Sequence, residues 1–120
     1  NTGMVLTLAL SYGGRQEIID AVKKIAGQVR SGQLRPEEID SPLFESFLST
    51  HPLPDPDLII RTSGERRISN FLLYQSAYTE LFYSNVLWPD FSDNDFLNAI
   101  IDFQGRERRF GMTQEQIVKA

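Results

Sequence analysis

Three arginines, one glycine and three small hydroxyl residues fall within nine positions, directly after an apolar run: Arg61, Thr62, Ser63, Gly64, Arg66, Arg67 and Ser69. Guanidinium forks match phosphate oxygens two at a time, and hydroxyls add neutral donors. Burying several arginines together is costly without an anion, so the cluster suits a diphosphate better than a single phosphate. The competing reading is a salt-bridge network with Glu65, Glu80 and nearby aspartates. Glu80 opens an aromatic run further on. A carboxylate beside a diphosphate is naturally explained by a bridging Mg²⁺, a hard cation that takes one or two protein oxygens. The alternative is an acid at a strand start, paired with an arginine. A second basic cluster, Arg106, Arg108 and Arg109, could equally complement a helix C-terminus. Ser11-Tyr12-Gly13-Gly14-Arg15 could approach an anion at a helix N-terminus, or could be an ordinary strand-to-helix turn. His51 is a lone histidine and is given no role. Trp88 and the phenylalanines are assigned to the core, although side chains lining a hydrocarbon cavity would look the same in sequence.

These residues need elements to position them. Val5–Ser11, nearly all apolar, predicts a strand buried on both faces. Ile18, Val22, Ile25, Ala26 and Val29 recur at helical spacing, which predicts a helix over 15–30 with an Asp20–Lys24 pair. Gly32 suits a left-handed cap after it. Ser41 is the expected N-cap of a short helix with Pro42 at its first position. A proline-rich linker over 52–56 leads to a second buried strand, "LIIRT". "SNFLLYQSAY" reads as a short helix and "ELFYSNV" as a third strand. Ser92 with Asp95 predicts the start of a last helix, with Phe96, Leu97, Ile100, Ile101 and Phe103 as its buried stripe. Strands alternating with helices predict an α/β fold with a parallel sheet. In such sheets ligands sit beyond the carboxyl ends of the strands.

Composition sets the outer limits. The 120 residues are 41% hydrophobic with eight phenylalanines, enough for a packed core. A net charge of −4 disfavours a nucleic-acid partner. Without cysteine there are no disulfides or thiolate metal sites, which fits a reducing, cytoplasmic setting. No apolar run has the length that spans a membrane. The first residue is not Met and a strand is expected almost at once, so the chain is read as having lost its natural beginning.

"DLIIRTSGERRISNFLLYQSAYTELFY", followed by "LWPDF" and "RERRFG", resembles the C-terminal half of the cis-prenyltransferases, the undecaprenyl diphosphate synthase family. "ALSYGGRQEIIDAVKKIA" is similar to that family's middle segment, so the resemblance covers nearly all of Val5 to Gly111. It implies a parallel sheet wrapped by helices around an apolar tunnel, and a homodimer. It also implies condensation of isopentenyl diphosphate with an allylic diphosphate, farnesyl diphosphate in the usual case, with Mg²⁺ as cofactor. The product would be a long polyprenyl diphosphate such as undecaprenyl diphosphate, a cell-wall lipid carrier, made in the cytoplasm by an enzyme in peripheral contact with the membrane surface.

By the same resemblance, Arg61, Arg67 and Ser69 hold the diphosphate of isopentenyl diphosphate and Glu65 orders their loop. Glu80 takes part in metal binding. Arg109-Phe110-Gly111 matches the family's terminal Arg-x-Gly element, which reaches the partner subunit's site. Two positions depart from the commonest pattern: Ser11 stands where many members have Asn, and Tyr74 where many bacterial members have Trp. The family's opening His-x-Met-Asp-Gly-Asn-x-Arg-Trp motif, whose Asp binds the metal, is not in these 120 residues. The chain is therefore expected to be the C-terminal half of a single catalytic domain, with no catalytic residue of its own. The alternative is a non-catalytic partner subunit of a heteromeric enzyme.

Overall fold

The computed structural model describes residues 2–118. Contacts cluster into two compact units. One takes in the chain up to Pro54 with Asn70–Leu73, and the other takes in Asp55–Ser69 with the chain from Tyr74 onward.

The first unit is built on helix α1, Gly14–Arg30. Ala21 and Ile25, one turn apart, form its buried line, and Leu34 and Leu48 complete the small core. The expected stripe is narrower than its spacing suggested, because Val22 is half exposed. The helix ends at Gly32, φ +76°, where the Gly32 N–H donates to Val29 O and the Gln33 N–H donates to Gln28 O. That double closure is the Schellman motif, and it needs the left-handed residue that glycine provides. Asp20 accepts from Gln16 Nε2 at 2.8 Å in place of the expected Lys24 pair. Helix α2, Ser41–Glu45, is capped by Asp40, whose carboxylate accepts from the Leu43 N–H at 2.9 Å. The cap therefore lies one residue before the expected Ser41. An aspartate's fixed charge favours the helix N-terminus.

Val5–Ser11 does not form the expected strand. Met4, Val5, Leu6, Leu8 and Leu10 are 75–89% exposed. A strand exists only through a hydrogen-bonded neighbour, and none among the described residues pairs with this segment.

The second unit holds a parallel pair, β1 (Leu58–Arg61) and β2 (Glu80–Tyr83), in the register Leu58↔Glu80 to Arg61↔Tyr83. The pairing is extended at both ends. Glu80 N–H donates to Asp57 O at 3.0 Å and Ser84 N–H donates to Arg61 O at 2.7 Å. The expected strands are present but shorter, and the sheet is parallel as the alternation predicted.

The expected helix over 69–78 is a succession of turns. Ser69, Asn70 and Leu72 all have positive φ, 49°, 65° and 48°, which a right-handed helix cannot contain. Helix α3, Asp93–Gln104, has the predicted capping box: the Asp95 N–H donates to Ser92 Oγ while Asp95 Oδ2 accepts from the Ser92 N–H. Its buried line is Ala99, with Ile100 and Phe103 partly covered, whereas Phe96, Leu97 and Ile101 are 49–64% exposed. A short helix α4, Gln114–Val118, closes the described chain. No helix among the described residues is long and apolar enough to cross a membrane.

Candidate functional site

The carboxyl end of β1 opens onto a cleft of about 660 Å³ in the second unit. Arg61, Thr62 and Ser63 form one side, where β1 runs out of ladder. The loop is fixed from behind by the facing chain, since Ser63 N–H donates to Val86 O at 2.8 Å and Gly64 N–H donates to Ser84 O at 2.9 Å. Ser63 and Gly64 both take positive φ, 66° and 68°. This is a sharp, specified turn, and residues held in such conformations tend to mark functional loops. Trp88, Phe91 and Phe96 provide an aromatic wall, with the Trp88 and Phe91 rings stacked at 6.3 Å. Asp93, in the first turn of α3, also lines the cleft.

Arg61 is partly buried, and among the described residues no carboxylate lies within ion-pair distance of it. A partly buried cation without a counter-ion, at the mouth of a cleft with apolar walls, suits an amphiphile with an anionic head. The other predicted residues do not join it. Arg67 pairs with Glu65, and its side chain is 69% exposed. Arg66 and Ser69 are exposed, and neither Arg67 nor Ser69 lines the cleft.

Glu80 lies at the opposite end of the ladder from Arg61. It starts β2 opposite Leu58, whereas Arg61 pairs with Tyr83. Three residues of strand separate the two ends by roughly 10 Å. Glu80 Oε2 accepts from Arg106 Nη1 at 2.9 Å. The same Nη1 donates to Leu81 O at 2.9 Å, and Asp102 Oδ2 receives Nε at 2.8 Å and Nη2 at 2.7 Å. The bond to Glu80 is the main cause holding the Arg106 guanidinium above its ordinary pKa, against the opposing effect of burial. Among the described residues no three His, Cys, Asp or Glu side chains converge on a common point. Glu80 is thus held through one oxygen by Arg106, as an acid at a strand start paired with an arginine, at the far end of the ladder from the strand-end loop.

In the first unit, the turn before α1 is occupied by protein. Gly14 N–H donates to Asn70 O at 2.7 Å and Arg15 N–H donates to Asn70 Oδ1 at 2.9 Å. Two N–H groups free to bind an anion at a bare helix start are thus already satisfied, so the ordinary turn is the reading that holds for them. The residues that sequence reasoning missed are Trp88, Phe91, Phe96 and Asp93 of the cleft. Trp88, assigned to the core, is 72% exposed. The signal was the run "LWPDF", whose Pro89 sits in a single 3₁₀ turn and turns the aromatic rings toward the strand end.

Residues 1–111 match the family described as "Putative undecaprenyl diphosphate synthase". The chain is 59% identical over 117 residues to an isoprenyl transferase of Chlorobaculum tepidum, covering 98% of this chain and 44% of the relative. It is 58% identical over 106 residues to the tritrans,polycis-undecaprenyl-diphosphate synthase (geranylgeranyl-diphosphate specific) of Thermoplasma volcanium, covering 88% and 41% respectively. Among solved structures it is similar to lavandulyl diphosphate synthase from Lavandula x intermedia in complex with dimethylallyl diphosphate. There the TM-score is 0.82 and the identity 44%, over 85% of this chain and 44% of that one. The chain spans about half the length of the curated relatives it matches.

Proposed function

Since the chain belongs to the undecaprenyl diphosphate synthase family, we propose that the whole protein is a prenyltransferase that condenses isopentenyl diphosphate with an allylic diphosphate. Residues 1–120 form the C-terminal half of its catalytic domain. The observation that carries the reading is Arg61 at the head of an aromatic cleft, with no carboxylate at ion-pair distance among the described residues. Arg61 and the hydroxyls of Thr62 and Ser63 take the diphosphate of isopentenyl diphosphate. Trp88, Phe91 and Phe96 take the hydrocarbon, where burial is worth about 25 cal/mol per Å². Arg67, Ser69 and the terminal Arg109-Phe110-Gly111 serve the same anionic groups in the complete enzyme, which acts as a homodimer. Farnesyl diphosphate is the proposed allylic partner, and an undecaprenyl-length chain the proposed product.

The reaction joins a carbon of the isopentenyl double bond to the allylic carbon as the allylic diphosphate leaves, and a proton is then lost. The attacking substrate keeps its own diphosphate throughout. Arg61 therefore anchors and orients it, without taking a proton or stabilising a leaving group. Magnesium would supply charge neutralisation at the leaving diphosphate, and nothing in the Arg61 cleft as described requires it for orientation.

The test is Arg61→Ala in the full-length protein. Losing a charge-assisted hydrogen bond worth about 2 kcal/mol raises the KM for isopentenyl diphosphate roughly thirtyfold, with a smaller change in kcat. A KM that does not move would refute the assignment.

A further inference from the structure

The segment 106–109 alternates. Arg106 and Arg108 are partly buried and directed at the sheet, whereas Glu107 and Arg109 are exposed and pair with each other at 3.2 Å. The two inward arginines grip the starts of the two strands. Arg106 binds Glu80, the first residue of β2, and Arg108 Nη1 binds Asp57, the residue before β1, at 2.6 Å. Asp57 and Glu80 are themselves joined by the Glu80 N–H to Asp57 O hydrogen bond. The Arg108 guanidinium also stands 4.7 Å from the Phe110 ring centre and 5.8 Å from that of Phe103. Beyond it the chain makes a tight turn, in which the Met112 N–H donates to Arg109 O at 2.8 Å and Phe110 and Gly111 both take positive φ, 48° and 78°. Phe110 packs against Tyr78, ring centres 6.1 Å apart.

We propose that Glu80 and Asp57 are positioning residues: through Arg106 and Arg108 they lock the terminal segment onto the strand starts, so that Arg109 projects from a fixed turn. Glu80 then acts on the anionic substrate through Arg109. A carboxylate with Arg106 bonded to one oxygen, next to a second acid doing the same for Arg108, is a two-point clamp. Period two explains why the run "RERR" carries three arginines: two grip and one is presented. The inference rests on the reading that Arg109-Phe110-Gly111 meets a diphosphate, but the clamp itself can be tested without it.

The experiment uses the full-length protein with Glu80→Gln, Arg106→Gln, their double variant and Asp57→Asn. Amide hydrogen exchange over 107–112 should quicken about tenfold or more in each, because the segment loses an anchor. Arg106→Gln also gives up the bonds to Asp102 and Leu81 O, so the double variant Glu80→Gln/Arg106→Gln should be no worse than Arg106→Gln alone. In turnover, Arg106→Gln and Asp57→Asn should each lower kcat/KM for isopentenyl diphosphate by roughly tenfold, and the loss should vanish in an Arg109→Ala background, where nothing remains to be positioned. Unchanged exchange over 107–112, or a loss of kcat/KM in Arg106→Gln or Asp57→Asn that persists in the Arg109→Ala background, overturns the proposal. If wild-type protein transfers no prenyl group, the functional reading fails while the exchange measurement still decides the clamp. If Glu80→Gln does not fold, Asp57→Asn gives the same readouts through Arg108.

Discussion

Two glycines of α1 should respond in opposite directions to the same substitution. A Cβ on Gly14 would lie 2.8 Å from Leu73 Cγ and 3.1 Å from both Asn70 O and Leu73 N. Two of those neighbours are backbone, and the loop that carries them has little room to yield. Asn70 and Leu72 already sit at positive φ, and Asn70 O is held by the Gly14 N–H itself at 2.7 Å. Overpacking of this kind costs about 1–3 kcal/mol. Loosening the Gly14–Asn70 hydrogen bond adds about 1 kcal/mol. The helix-propensity gain of alanine, at most about 1 kcal/mol, offsets part of it. Gly14→Ala should therefore destabilise by roughly 2 kcal/mol.

Gly27 lies in the same helix. A methyl group there would have no neighbour within 4 Å, and its φ is not in the left-handed region. Gly27→Ala should stabilise by about 0.5–1 kcal/mol, because only the propensity change remains. Denaturant and thermal melts of the full-length protein read both, at roughly 3 °C of thermal midpoint per kcal/mol. If the two variants shift in the same direction, the close packing of the 70–73 loop on α1 is wrong. So is the claim that this loop, and no anion, satisfies the start of the helix.

Other outcomes follow from the same geometry. Gly32→Ala places a side chain at φ +76° and should cost about 1–2 kcal/mol, measured by the same melts. Asp40→Ala removes the cap of α2 and should cost about 1 kcal/mol, with Ser41→Ala near neutral, which separates the observed cap from the expected one. The Asp95 carboxyl is held below its usual value, chiefly by its side-chain bond with Ser92 and then by the Ser92 N–H. A depressed carboxylate contributes stability above its unfolded value, about 4, and loses it as pH falls through the lower folded value. Asp95→Asn should accordingly lower stability across the neutral range, flatten the acid limb of a stability–pH curve and converge with wild type at low pH.

What could be read in advance was whatever local chemistry decides. The Ser92–Asp95 box, the Gly32 cap and the helix over 14–30 depend on neighbours within a few residues, and the structure has them. Parallel pairing of β1 and β2 followed from strands separated by a long crossover. The turns over 69–78 did not follow, because "SNFLLYQSAY" has helical composition while Ser69, Asn70 and Leu72 adopt left-handed φ. No propensity scale anticipates three such residues, one of which, Asn70, is bonded to the start of α1. At the site, Arg61 was identified from its strand end, but its separation from Glu80 was not. Both acids and arginines were visible, yet only the register shows that Leu58 faces Glu80 and Tyr83 faces Arg61. Burial was misjudged where the sequence shows only apolar spacing. Trp88, Phe96, Leu97 and Ile101 have the periodicity of a core and the exposure of a surface.

That exposed apolar surface and the short sheet are two sides of one physical fact. A parallel pair four residues long leaves both outer edges unpaired and is not a self-sufficient sheet. Val5–Ser11 has the composition of a strand buried on both faces, and Met4, Val5, Leu6, Leu8 and Leu10 stand at 75–89% exposure. Leaving several such side chains in water forgoes about 1.5–3 kcal/mol each. A chain spanning about half of its relatives' length is consistent with a sheet whose other strands belong to the remaining half of the catalytic domain proposed above. On that reading the apolar patch of Phe96, Leu97 and Ile101 and the bare Val5–Ser11 segment are surfaces selected for burial. Leu6→Ser or Leu8→Ser in the full-length protein should then destabilise by about 2 kcal/mol or more in a denaturant melt. A change near zero would mean that the segment stays in water, and the strand reading of Val5–Ser11 would fall with it.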